Sequence, residues 1–460
     1  MEQRVDPAAL SENLRGDGRG ETHGAESHFP SALRALSHRN YRLFASGQIV
    51  SLVGTWMQRV AEAWLVYRLT GSPVLLGFVG FCSQIPVFLI APVGGTVADR
   101  FDRHRVVIAT QTASMLLAGT LAALTLSGRI RIWQVFALAA LLGVVRAFDI
   151  PSRQAFIADM VGRNDLMNAI ALNSSMVNGA RMVGPAIAGI LVASIGEGWC
   201  FFANGVSYIA VIAGLLLMHV TPNSAGRPRG TAVASILEGF HFVGRTAPIR
   251  GLLLLLGLVS LMGMPYRVLM PIFATDVLQS GARGLGLLLS ASGLGALAGA
   301  VSLTMRKGVL GLGKWVAISA VGFGSSLILF SLSRSFWLSA ALLVPAGCFM
   351  MVQMASSNTL VQSMVPDALR GRVMSVYSMM FMGMAPFGAL LQGALAKPLG
   401  APLTVALGGG VCIAGAVVFR WYLPGLREKG RALIVAQQMV GGEPPEEMTG
   451  GPTTLVPEPR

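Results

Sequence analysis

Residues 94–105 read GGTVADRFDRHR. Before them lies a long apolar run, 74–98, broken only by Ser83, Gln84 and Thr96, and an equally apolar run begins at Val106. Between the two runs, Asp99, Arg100, Asp102, Arg103, Arg105 and His104 crowd together. Each run is long enough to cross a hydrocarbon layer, so the pattern predicts two membrane helices joined by a tight, charged, water-facing turn.

The rest of the chain repeats that alternation. Of 460 residues, 53% are hydrophobic and 12% charged, with a mean hydropathy of +0.63, whereas a soluble domain carries about 25% charged residues. The net charge of +14 is distributed in short clusters between apolar runs. It therefore reads as a topology signal and not as a footprint for nucleic acid. Twelve apolar runs are expected, near 43–68, 74–98, 106–127, 132–150, 168–194, 200–219, 251–273, 284–305, 315–333, 336–358, 372–396 and 400–421. With the N-terminus cytoplasmic, one side receives roughly twenty basic residues and the other about six, which predicts both termini inside a plasma (inner) membrane. The first thirty residues have no apolar core of the signal-peptide kind, so the first helix is expected to direct insertion.

Composition then divides the chain. A polar N-terminal segment (1–40) precedes a six-helix bundle (41–219). A linker (220–250) contains PNSAGRPRG and an amphipathic stretch in which Ile236, Phe240 and Val243 share a face, expected to lie on the membrane surface. A second six-helix bundle (251–421) follows, and a tail (422–460) rich in Pro, Glu and Gly is expected to be disordered. The halves echo one another. Leu76-Gly77 with Ser83 matches Leu285-Gly286 with Ser292, at an offset that also lays Arg105 on Lys314. A weaker echo pairs Gly184-Pro185 with Ala385-Pro386, with Gly189 and Gly388 out of register.

On these residues a resemblance becomes specific. Gly95, Asp99-Arg100, Arg103 and Arg105 resemble the loop between the second and third helices of the major facilitator superfamily, which has Gly where Asp102 stands and a basic residue where His104 stands. The former position is expected to need a backbone kink, which Asp tolerates better than most residues. RGRVMS, YRLTGSPVLLG and the fifth-run pattern RxxGPAxxG resemble the exporter branch that includes enterobactin and macrolide exporters. The resemblance implies an all-α membrane protein, twelve helices in two six-helix bundles around a central cavity, working as a monomer by alternating access. It further implies proton-coupled efflux of an amphipathic small molecule: a drug, a siderophore or a related metabolite.

Polar residues inside apolar runs are costly and each needs a reason. In the first run Arg59 and Glu62 lie at helical spacing with Gln58, either lining a cavity or forming a structural ion pair. Arg146 and Asp149 close the fourth run and are expected near the cytoplasmic end, networking with Asp99 or simply snorkelling. In the fifth run Gly179, Gly184, Pro185 and Gly189 allow a kink and close approach, and resemble a motif associated with antiporters. Arg181, deep in that run, is expected to face the cavity. Arg370 and Arg372 open the eleventh run, where a helix N-terminus suits an approaching carboxylate such as Asp99. The expected cytoplasmic gate is thus Gly95, Asp99, Arg100, Arg103, Arg105, Arg146, Asp149, Arg370 and Arg372.

No motif for an enzyme emerges. GVLGLGKW has Trp315 where a Walker A motif needs a hydroxyl, and Cys82, Cys200, Cys348 and Cys412 fall in separate runs without metal or redox spacing. No cofactor or metal is expected; the expected partners are a small-molecule substrate, protons and the lipid bilayer. Two alternatives stay open: a lipid transporter with a less polar cavity, and a non-transporting sensor or scaffold that uses the tail.

Overall fold

The computed structural model describes residues 31–219, 232–305 and 311–441. Every long apolar run is a helix, because a backbone in hydrocarbon must satisfy its own polar groups. In the first half these are α1 (Arg39–Thr70), α2 (Pro73–Arg100), α3 (Arg103–Leu126), α4 (Ile132–Gly162), α5 (Asn164–Ile195) and α6 (Glu197–Leu216). The linker helix is α7 (Ala232–Arg245). The second half has α8 (Ala247–Val277), α9 (Gly281–Thr304), α10 (Leu312–Leu332), α11 (Phe336–Met364), α12 (Asp367–Leu399) and α13 (Ala401–Gly441). Eleven are long and apolar enough to span a membrane. The twelfth, α1, is 32 residues long but carries Gln48, Gln58, Arg59 and Glu62.

Helix packing repeats between the halves. The α2–α4 and α3–α6 contacts of the first bundle are matched by α9–α11 and α10–α13 in the second. The bundles meet chiefly along two seams, α5 against α9 and α2 against α12. Trp133, Trp199 and Trp337 stand exposed at one end of their helices and Trp421 toward the other, as aromatic belts at two membrane interfaces would. We call the end bearing α7 the linker face and the opposite end the far face.

Two expectations are corrected here, and the packing of α7 is added. The fourth run does not stop at 150: α4 continues through Pro151 to Gly162, whose φ of 69° makes the turn into α5. The extension is held because Phe156, Ile157, Met160 and Val161 join a second apolar cluster with Tyr41, Phe44 and Val107 at the linker face. The tail is not unstructured from 422, since α13 runs to Gly441 with Leu423 buried and Leu426, Leu433 and Ile434 packed on the core; residues 442–460 lie outside the described residues. Finally, α7 is docked on protein. Val243 is buried, Glu238 pairs with Arg372, and a Cβ on Gly239 would stand 2.6 Å from the Arg372 carbonyl oxygen. The Ile236 side chain and the PNSAGRPRG stretch lie outside the described residues.

Candidate functional site

At the linker face, the charged turn is built differently from its sequence reading. Asp102 has φ −59°, so no left-handed backbone is needed; it is the N-cap of α3, its carboxylate accepting from the His104 backbone N–H at 3.0 Å. Arg103 donates to both carboxylate oxygens of Asp159 at 3.0 Å and to the Ala98 carbonyl at 3.1 Å. Asp159 lies on the unforeseen extension of α4, which is why the sequence did not single it out. Arg105 stays exposed beside Asp102 at 3.5 Å. Gly95 faces open space; its neighbour Gly94 is the close approach, abutting Ala147 of α4.

Among the described residues, no hydrogen bond or ion pair joins the gate residues of the two bundles. Asp99 and Arg100 are exposed, while on α12 Arg370 pairs with Asp367 and Arg372 with Glu238. Asp149 is buried within the first bundle, accepting from Thr110 (3.0 Å) and Gln111 (2.8 Å) and pairing with Arg153 at 3.3 Å. Arg146 is not at the gate at all. With α4 extended, it lies near mid-helix, within electrostatic reach of Glu62 and Arg59.

Along the seams, glycines set how closely the bundles approach. A Cβ on Gly286 of α9 would stand 2.4 Å from the Pro185 oxygen and 2.8 Å from the Gly189 Cα. On the other seam, a Cβ on Gly77 of α2 would stand 2.5 Å from the Ala389 oxygen and 3.1 Å from the Gly393 Cα. So the Gly77/Gly286 echo is real packing symmetry. The second echo is shifted: Gly184 corresponds to Gly388 and not to Ala385, and Gly189, expected to be out of register with Gly388, corresponds to Gly393. Gly184 packs on Trp56 and Val53 of α1, and Gly388 on Leu261 and Pro265 of α8, each inside its own bundle. Close approach, not proline, is what the repeat preserves. Gly179 faces open space. Near these seams at the far face, Tyr67 donates to Asp276 across the bundles.

Between the seams a cavity of about 210 Å³ is lined by Trp56, Arg59, Arg181, Pro185, Arg267 and Leu289, among others. Arg59 is exposed although it lies mid-helix, because its side chain opens into this space. Its guanidinium is 4.7 Å from the centre of the Trp56 ring, and that of Arg181 is 5.5 Å from the same ring. Arg59 and Glu62 are not within ion-pair distance among the described residues. Gln58 is not in the cavity: one step along the helix turns it toward α6, where its Oε1 accepts from Asn204 at 2.6 Å.

Arg267 is the cavity residue the sequence reading missed. It sits in α8, where π-helical turns (Val259–Gly263 and Phe273–Val277) flank a 3-10 turn (Met264–Leu269) containing Pro265. Its Nη2 donates to Ser292 Oγ at 3.3 Å, and Ser292 also pairs with the Tyr266 hydroxyl at 2.7 Å. A lone arginine between prolines in an apolar run was the available signal.

Comparison with known proteins adds a family to this geometry. The family described as transmembrane secretion effector matches residues 30–441. The chain is 27% identical to the staphyloferrin A transporter of Staphylococcus aureus, over 82% of this chain and 95% of that protein. It is 26% identical to the enterobactin exporter EntS of Citrobacter koseri, over 82% and 91%. Among solved structures it resembles a POT family transporter in complex with a thioalcohol-conjugated peptide (TM-score 0.69, 13% identity, covering 84% of this chain and 96% of that one). It also resembles the nucleoside transporter NupG (TM-score 0.65, 14% identity, 85% and 98%). At such identities the structures speak for the fold alone.

Proposed function

The chain belongs to the transmembrane secretion effector family of the major facilitator superfamily, and we propose that it exports a small amphipathic molecule, driven by protons, through alternating access. The observation that carries this reading is the pair of glycine seams closing the bundles toward the far face while the gate residues at the linker face remain unjoined. Rocking about α2–α12 and α5–α9 would open the far face and bring Asp99 toward the start of α12. Asp99, Arg100, Arg103, Arg105, Arg370 and Arg372 then act as the gate, with the linker face and both termini cytoplasmic, as the basic clusters support. Glu62, between Arg146 and Arg59, is the proposed proton carrier. The siderophore class is favoured by what the relatives are named for. The lipid-transporter alternative called for a cavity poor in charge, and three arginines argue against it.

Purified protein in proteoliposomes tests this. An imposed pH gradient should drive accumulation of staphyloferrin A, enterobactin or a cationic drug above the level of empty liposomes. Gradient-independent, protein-independent uptake of all three would end the exporter reading.

A further inference from the structure

Arg59, Arg181 and Arg267 come from α1, α5 and α8, so both bundles contribute cations to one cavity. Among the described residues no carboxylate is within ion-pair distance of any of the three, and the cavity lining contains no acid. The Nε of Arg181 is buried and has no hydrogen-bond partner. Among the described residues, Arg267 is held by the neutral groups of Tyr266, Ser292 and Met350. Among the described residues, Arg146 and Glu62 also lie within electrostatic reach of Arg59, and Glu62 interacts with both arginines. Guanidiniums gathered inside a membrane-spanning bundle without counter-ions are costly, and planar N–H forks match carboxylates in pairs of parallel hydrogen bonds.

Trp56 sharpens the picture. With Arg59 and Arg181 both over its ring, the π-face is already occupied by cations. A cationic amphiphile entering here would meet three like charges in a low-dielectric space. An anion would neutralise them and, because Arg267 belongs to the other bundle, would bridge the two halves.

We propose, building on the exporter reading above, that the cavity is a polyanion site: Arg59, Arg181 and Arg267 jointly bind a substrate carrying several carboxylate or comparable oxyanion groups. At about 210 Å³, below the ~300–1,000 Å³ of drug-sized sites, the cavity holds the charged head of such a molecule.

The test uses the full chain in nanodiscs and equilibrium dialysis with radiolabelled citrate, a hydroxytricarboxylate, against tetraphenylphosphonium, a lipophilic cation. Citrate should be retained saturably, be displaced by tricarballylate, and bind about tenfold or more weakly in Arg181→Gln and Arg267→Gln. Arg267→Lys, which keeps the charge, should recover part of the loss, and Gly119→Leu, on α3 with nothing within 4 Å, should bind as the parent does, provided each variant stays monodisperse. Retention of the cation in place of citrate, or unchanged citrate affinity in both Gln variants, overturns the site. Transport separates this from the exporter reading. Arginine-dependent citrate binding without gradient-driven transport of any substrate would leave the polyanion site standing and remove the exporter. Gradient-driven export of cations with no citrate binding would do the reverse.

Discussion

Gly286→Leu is the most direct probe of the two-state reasoning. A Cβ at this position would lie 2.4 Å from the Pro185 oxygen and 2.8 Å from the Gly189 Cα. Ordinary contact needs about 3.5 Å or more, so α5 and α9 must part by about 1 Å at the far face. Overpacking of that kind costs about 1–3 kcal/mol. Here it falls on the state with the far face closed, shifting the population toward the opposite state by about 5- to 150-fold. The assay is electron–electron distance measurement, after replacing Cys82, Cys200, Cys348 and Cys412. One spin-label pair at Ser127 and Ser335 reports across the far face, and another at Arg105 and Ala368 reports across the linker face; all four positions are exposed. The first distance should lengthen and the second shorten, and Gly77→Leu on the symmetric seam should do the same. Gly179→Leu, with nothing within 4 Å, should change neither. Parent-like distances in monodisperse samples of both seam variants would refute the reasoning.

Asp99→Asn should leave thermal stability unchanged, because the side chain is exposed and unpaired among the described residues here, yet lower transport by about 5- to 150-fold through a loss of about 1–3 kcal/mol in the linker-face-closed state. Full transport would reduce the loop to a topology signal. Glu62→Gln should abolish uphill export driven by a pH gradient while sparing exchange down the substrate's own gradient, measured by counterflow in proteoliposomes; uphill export at the parent rate removes Glu62 as the proton carrier. Cysteines at Ser127 and Ser335 should react with an impermeant thiol reagent applied outside cells, and one at Asn164, exposed at the linker face, should not. Labelling of Asn164→Cys from outside would invert the topology.

Much of this was legible in one dimension because the bilayer acts as a ruler. Runs too apolar for water must span it, and the clusters of arginine between them fix which ends lie together. That was enough for twelve helices in two halves, for the charged turn at 99–105, and for placing Arg59 and Arg181 within the membrane. The Gly77/Gly286 echo even located one residue of each seam, since close helix contact in lipid selects for small side chains. Where the reading failed, it failed on depth or on direction. Arg146 was placed at the gate because the apolar run was read as ending at 150, and only packing of Phe156 and Ile157 on Tyr41 and Phe44 carried α4 onward and left Arg146 near mid-helix.

Direction around the helix axis was the harder loss. In water, a helix face turned to the core is apolar and the opposite face polar, so the sequence reports rotation. Lipid is as apolar as a packed core, and that contrast disappears. Gln58 and Arg59 are adjacent in sequence, yet one bonds Asn204 inside the first bundle and the other opens into the cavity. The sequence alone determined that this chain is a two-bundle membrane transporter with costly arginines in its interior. Only the tertiary structure decided that three of them, one from the second bundle, face the same space, because that depends on helix rotation and inter-bundle contact that a uniformly apolar environment does not encode.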